Sequence, residues 1–593
     1  MKEKKSKFAF LLLILPLLLL SFGGLYYYKT FYTKTRFEHF LDESFQYIAT
    51  ENALTLHMTL QYPEKYGIDM NQTTLLPDLS DQACKERYAH YQSMLDQLHQ
   101  FSMKNLSQDQ QFLALLFEYN LKEYLTMEKE FPYYETNLGA NGNLVDLAIL
   151  FSEFSFEDRD DIVLYEKLLN KLPDYLDSMA DYEIRRQKAG IYPSSSLIEG
   201  TLQHIDQLLG SEDSNLYLDS FQNRIKEATF LSNSEKKTYL KKNETLVKKM
   251  VIPSYKKIQS LLKEKLEVLK KNLTISSYPK GKAYYTHLLT SETGSNLSPE
   301  ECYDIFSKEI EEQQKKIEDI YKENPDIELD YLTSFPAIDQ ANDILEDLKN
   351  VTRIEFPAIK DLSCDLSEIS TNLNSISASA YYITPPFGYE GSNHISLQGY
   401  SSSDLSLYTT LAHEGYPGHL YQTNYFYQHM IHPIQLYLKC PGFNEGWGTY
   451  AEYYSYDFLA IKDMDEKTSN QVKSLLKANH LLNLNISCMA DIMVNYLGYD
   501  VKDLTKYMKS LNIEENASEQ IYHYVVENPC SYLKYGIGYY EFMELLQSEK
   551  KNPSFSMLDF HTKILSYGSC PFDLLRTMMN QDKKSLSFVD NNE

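Results

Sequence analysis

Four residues of this chain have types and spacing that point to chemistry: His413, Glu414, His419 and Glu445, carried by the segments TTLAHEGYPGHLYQ and GFNEGWGTYAE. A metal-dependent hydrolase needs about three protein ligands and one open position for water, which the metal makes acidic enough to attack a carbonyl near neutral pH. Histidines offer neutral nitrogen donors, and a carboxylate third ligand, here Glu445, lowers the charge of the site while leaving zinc a Lewis acid. The expected cofactor is one Zn2+ per chain, held by His413, His419 and Glu445. Glu414, next to the first histidine on a helix, would project beside the metal and act as general base for the bound water.

The usual short form of such a motif places its histidines one turn apart on a single helix face. Here they are six residues apart, a rotation of about 600° that leaves them roughly 120° off a common face in an ideal helix. Joint ligation therefore requires an irregular turn. Pro417 and Gly418 are residues that interrupt a helical ladder, since proline lacks a donor and clashes one turn back while glycine admits unusual dihedrals. The expectation is a motif helix bulged at Tyr416-Pro417-Gly418 that returns His419 to the metal. The plain alternative is that His413 caps a helix and His419 packs elsewhere.

The second segment argues against that alternative. After the turn at Pro441-Gly442 it runs helically, with Glu445, Thr449 and Glu452 on one face and Trp447, Tyr450 and Tyr454 around it. Glu445 is the natural third ligand. Glu452, two turns on, is placed to accept the second hydrogen of a ligating histidine, which fixes its tautomer and orientation; a solvated face is the alternative for that residue.

These residues must be held by packed elements. From residue 30 to about 290 apolar residues recur at intervals of three and four, as in FEHFLDESF and LVKKMVIPSYKKIQSLLKEKLEVLKK, which predicts helices joined by short polar turns. The string SPEE at Ser298 predicts an N-cap, a proline at the first helical position and Glu301 at the third, opening a long charged helix that ends before Pro325. From about 375 the texture becomes that of short strands and turns, and the strand expected in SNHISLQG precedes the motif helix, which resumes at the capping Asp404. The strand around Asn393 to Leu397 is expected to pair with an extended peptide by edge addition. The chain thus divides into residues 1–29, residues 30–290 as a helical region covering the cleft, and residues 291–593 as the zinc-site region.

With 593 residues, 43% of them hydrophobic, the chain can bury a sizeable core, and a net charge of -26 argues against a nucleic-acid partner. Phe8 to Tyr28 form an uncharged run preceded by Lys2, Lys4, Lys5 and Lys7; as a helix it would reach about 32 Å, the thickness of a bilayer's hydrocarbon layer. The expectation is a single-pass anchor in the cell membrane with the remainder outside the cytoplasm; a cleaved export signal is the alternative. The seven cysteines are scattered and odd in number, with no metal-ligand spacing, so most are expected as buried thiols.

The motifs resemble known families. NEGWGTYAE is similar to the NEGFAxYxE segment of gluzincin aminopeptidases, in which the glutamate after Asn is the zinc ligand. The fuller resemblance is to the bacterial domain of unknown function 885, marked by HExxPGHxxQ and EGWxxYxE, and read here at His413 to Gln422 and Glu445 to Glu452. It continues through PCSYLKYGIG and DFHTKILSYGSCPFDLL, and upstream through SAYYITPP and GSNHISL. The resemblance implies a mainly α, zincin-like metallopeptidase fold with a small sheet in the catalytic half. It implies Tyr535 or His561 as donor to the oxyanion, with Gly536 and Gly538 admitting backbone to the site, and Asp491 as an outer partner. The chain departs from the family pattern at Leu420 and Asn495, where histidines are common, which bears on substrate preference rather than hydrolysis.

The favoured expectation is a membrane-anchored zinc peptidase acting on short peptides. Two alternatives stand beside it: a zinc amidohydrolase on small or cell-wall peptides, and a non-catalytic surface binding protein. Oligomeric state is not legible in the chain.

Overall fold

Local signals start many of the helices. Ser298 accepts a hydrogen bond from the Glu301 N–H, Glu301 accepts one from the Ser298 N–H, and Pro299 takes the first helical position, as SPEE predicts. The same reciprocal cap opens Gln108–Glu130 at Ser107, Arg159–Lys188 at Asp158 and Asn233–Leu246 at Ser232. Each such cap is worth about 1 kcal/mol and fixes where a helix enters the fold.

The computed structural model describes residues 33–580 apart from 140–141, 269–272, 326, 328–339, 361, 369–379, 399–404, 460 and 462–463. The run Phe8 to Tyr28 and Asp404 lie outside the described residues. Among the described residues no helix is long and apolar enough to cross a membrane, because the long helices are apolar on one stripe only and charged elsewhere. Within the described residues this corrects the expected transmembrane helix, and with it the bilayer as partner and the single-pass placement; the run that prompted the expectation is not among those residues.

The first half is helical throughout, from residues 33–49 onward. The elements of the second half are α1 (Gly281–Thr293), α2 (Pro299–Glu323), α3 (Ala341–Thr352), β1 (Cys364–Glu368), β2 (Ala380–Ile383), β3 (Asn393–Leu397), α4 (Leu405–Glu414), α5 (His419–His429), α6 (Pro441–Ser455), α7 (Glu466–Asp491), α8 (Val501–Ser510), α9 (Glu515–Glu527), α10 (Ser531–Glu549), α11 (Met557–Tyr567) and α12 (Phe572–Met579). The fold is mainly α with one small sheet. In that sheet β3 is central, parallel to β1 and antiparallel to β2, with Ile395 opposite both Leu366 and Tyr382. Both sides of β3 are thus occupied, which corrects the expectation that Asn393 to Leu397 could take up a peptide at its edge.

One core joins Phe37 and Phe117 of the first half to Trp447, Tyr450, Phe542 and Phe572 of the second. A second lies within the first half, between Leu54 and Leu262. A third joins Phe131 and Tyr285 to Met489, Ile492 and Ile537. Where α6 crosses α10 the contact is backbone on backbone. A Cβ on Gly446 would lie 2.4 Å from the Gly538 carbonyl carbon, and one on Gly538 would lie 2.1 Å from the Gly442 oxygen. Gly538 thus serves helix packing, and Gly536 packs against Cys488 and Phe306, so neither admits substrate backbone. All seven cysteines are free, and Cys302, Cys440, Cys488, Cys530 and Cys570 are buried.

Candidate metal centre

The two motif histidines stand on different helices. α4 ends at Glu414 and α5 begins at His419, so the motif is two helices joined by Gly415-Tyr416-Pro417-Gly418 and not one bulged helix. The turn is tight: a Cβ on Gly418 would sit 1.7 Å from the His413 oxygen, which only glycine tolerates. It is held from outside by Trp447, whose Nε1 donates to the Pro417 oxygen at 2.8 Å, and from within by Tyr421, whose N–H reaches the Gly415 oxygen at 3.2 Å.

This break brings the histidine rings to 4.7 Å, nearly perpendicular at 84°. Glu445 Oε2 lies 3.8 Å from His413 Nε2 and 3.5 Å from His419 Nε2, and one donor atom from each residue falls within 4.8 Å of the others. Ligands bonded to tetrahedral zinc at 2.0–2.1 Å stand roughly 3.4 Å apart. Donor types and spacing therefore fit a metal ion after small side-chain movements.

α6 supplies the floor of this centre. Glu445, Gly448 and Glu452 share the face turned to His413, and a Cβ on Gly448 would meet His413 Nε2 at 2.6 Å, so the imidazole lies directly on the helix. Glu452 Oε2 stands 3.3 Å from His413 Nδ1, an arrangement in which Nδ1 donates and Nε2 is turned toward the other donors. Glu452 Oε1 is 3.4 Å from His480 Nε2, and His480 Nδ1 is 3.1 Å from the Tyr456 hydroxyl.

Electrostatics follow from this crowding of acids around imidazoles. Burial disfavours charge on His413, but bonds to Glu445 and Glu452 and the nearby Glu414 hold it well above the usual imidazole value. Burial likewise opposes charge on Glu445, yet His413, His419 and Lys534 hold it well below the usual carboxylate range. Charge that protons balance here is charge a metal cation can balance in their place.

Glu414 is not one of the three clustered donors. Its Oε2 accepts the Tyr382 N–H of β2 at 2.8 Å, which pins the carboxylate against the sheet, and its charge acts on both His413 and Tyr535. The Tyr535 ring lies 6.0 Å from that of His413; burial first, then Glu445, raises its phenol well above the ordinary value, so it stays protonated. Lys534 Nζ lies 3.8 Å from Glu445 Oε1.

Two sequence candidates sit elsewhere. His561 is fully buried on the other face of α6, stacked on Phe356 at 3.9 Å. Its Nδ1 donates to the Glu355 oxygen at 2.6 Å and its Nε2 accepts from the Tyr450 hydroxyl at 2.9 Å, while burial lowers it to about 4. It is a neutral core residue with no free nitrogen for an oxyanion. Asp491 is also fully buried, accepting from Tyr285 at 2.7 Å, Asn495 at 3.2 Å and the Cys530 N–H at 2.8 Å. It ties the end of α7 to the start of α10, the helix that carries Lys534 and Tyr535.

Sequence reading missed Gly448, His480, Lys534 and the Tyr382 N–H. Gly448 was within reach, one turn from Glu445 on the same face. No local pattern marks His480 or Tyr382, which approach the site from α7 and from the sheet.

The comparisons with known proteins agree with this fold. The family model described as "Bacterial protein of unknown function (DUF885)" matches residues 63–579. No curated protein matches. Among solved structures, a Colwellia psychrerythraea protein provisionally named a lipoprotein is 17% identical, with a TM-score of 0.78 over 92% of this chain and 98% of that one. A Shewanella oneidensis protein, also provisionally a lipoprotein and of unknown function, is 15% identical, with a TM-score of 0.58 over 84% of this chain and 93% of that one. At these identities the likeness is one of fold. The expectation of a membrane-anchored peptidase is accordingly corrected: no described helix can cross a bilayer, the matching family carries no stated activity, and the site itself amounts to a His-His-Glu cluster able to hold a metal ion.

Proposed function

Because this chain belongs to the bacterial DUF885 family, whose description states no activity, we propose its function from the site alone: a zinc-dependent hydrolase of amide bonds in small molecules or short peptides, wall-peptide fragments included. The observation that carries the reading is a three-donor cluster, with Glu445 at 3.5 and 3.8 Å from two imidazoles, beside a separate carboxylate held by a backbone N–H. Structural zinc normally closes with four protein ligands, whereas three leave a position open. A zinc ion bound here would supply Lewis acidity to a substrate carbonyl and to water.

The chain's own residues then divide the remaining work. Glu414 takes a proton from water as the water oxygen bonds to the carbonyl carbon, and delivers it to the departing amine nitrogen as the C–N bond breaks. Tyr535, protonated, donates a hydrogen bond to the oxygen on which charge develops. Glu452 holds His413 in one tautomer. A cavity of about 770 Å³ opens beside Lys534 and Tyr535, a volume that suits a small ligand or short peptide better than a folded protein.

The test is Glu414→Gln in the full chain. About one zinc per chain should remain, while turnover of short peptide amides falls by roughly 10²–10⁴-fold. Unchanged turnover would remove Glu414 from its role, and a native protein that holds no first-row metal would bring the binding-protein alternative forward.

A further inference from the structure

The cavity beside the metal cluster has an uneven distribution of charge. Three basic residues line it, and all are engaged. Arg186 donates to Glu183 at 2.6 Å and to the Tyr133 and Tyr134 oxygens. Arg87 pairs with Glu51 at 3.3 Å and with the Asp78 oxygen, and Lys534 pairs with Glu445. The acids differ. Glu128, which Arg87 attracts, lines the cavity together with Glu135, Glu292 and Glu527, and among the described residues none of the last three carboxylates has a hydrogen bond or an ion pair.

Position sharpens the contrast. Glu292 lies on the last turn of α1, against the start of α6, where a Cβ on Gly442 would meet the Thr293 oxygen at 2.1 Å; its charge interacts with Lys534 and Glu445. Glu135 lies further along, close enough to Glu292 for the two to repel, and is exposed to solvent. Glu527 closes the wall at the end of α9, with its carboxylate facing Gly200. Desolvation raises all three carboxyls, with a like-charged neighbour adding to the shift in each case. Carboxylates on a cavity wall without partners of their own present negative charge that a cation can meet.

Resting on the hydrolase reading above, we infer that the substrate carries a positively charged nitrogen, an amino terminus or a basic side chain, which docks on Glu292, Glu135 and Glu527 while the scissile amide reaches the metal cluster past Lys534 and Tyr535 of the lining. The side chains that set this preference come from the helical first half, α1 and α9, and none belongs to the motif segments. Anionic substrates would meet repulsion from these acids, because Arg87, Arg186 and Lys534 are already engaged by Glu51, Glu183 and Glu445.

Binding, read without turnover, tests this separately from hydrolysis. Four hydrolysis-resistant D-tripeptide amides are titrated calorimetrically into the zinc-loaded full chain: one with a free amino terminus, its acetylated form, an acetylated form with one D-lysine, and an acetylated form with one D-glutamate. The free-amine or lysine peptide should bind at least tenfold more tightly than the neutral and acidic ones, and whichever does so identifies the source of the charge. The double variant Glu135→Gln, Glu292→Gln, checked for unchanged zinc content and helicity, should lose that preference. Equal binding of all four, no binding of any, or tightest binding of the acidic peptide overturns the inference. A cationic preference without cleavage of the matching L-peptide would sink the hydrolase reading and leave this one standing.

Discussion

On one face of α6, His413 has its Nδ1 turned to Glu452 and its Nε2 turned to Glu445 and His419. On the other, His561 has its Nδ1 on the Glu355 oxygen and its Nε2 on the Tyr450 hydroxyl. Both rings are oriented by an oxygen on Nδ1, and the difference lies in what the second nitrogen meets. His561 finds a hydroxyl that satisfies it and becomes a neutral part of the core. His413 finds donors like itself, an arrangement in which only a proton or a metal ion can serve them all. What separates a candidate ligand from a packed histidine here is the valence left after folding, not residue type or motif membership.

The largest break in that comparison is Glu445→Ala, which removes one donor from the shared point. Metal content should fall from about one per chain to near zero, with affinity down by more than the roughly 100-fold that outer partners cost; a variant that keeps its metal under a competing chelator would disprove the three-donor centre. Glu452→Gln should do less, weakening metal binding by about 10–100-fold while the ligands remain in place. His561→Phe keeps the stack on Phe356 but leaves two buried oxygens without a donor or acceptor. It should cost about 2 kcal/mol in denaturant unfolding and change metal affinity by less than about threefold; a metal loss as large as that of Glu452→Gln would erase the distinction between the two faces.

The smallest effect concerns Asp491, which is remote from the donors and raised by burial to about 7. A carboxyl whose folded value exceeds its unfolded one, near 3.9, contributes stability that is full below about pH 4 and is lost as pH rises through about 7. Asp491→Asn should therefore flatten the decline in stability between those limits. An unaltered profile would mean that the carboxyl titrates as it does in the unfolded chain.

Much of the centre was legible because its parts are local. The carboxylate after Asn444, the helical row from Glu445 to Glu452 and the interruption at Pro417-Gly418 are all decided within a few residues, and the caps at Ser298, Ser107, Asp158 and Ser232 are equally local. The degree of interruption was not legible. Whether Pro417-Gly418 bulges a helix or ends it depends on the clash at the His413 oxygen and on the Trp447 bond to Pro417, and the latter arrives from another helix. The membrane anchor was read from an apolar run outside the described residues.

By itself, then, the sequence determined donor types, their order along the chain, where helices start and stop, and an acidic balance of charge, since each depends on covalent neighbours or composition. Only the tertiary structure decided that β3 is closed on both sides, that His561 is spent on the core, that Gly538 serves a helix crossing, and that Glu135, Glu292 and Glu527 face one cavity. Those outcomes depend on partners tens to hundreds of residues away, and the satisfaction of a polar group is a property of its spatial neighbours.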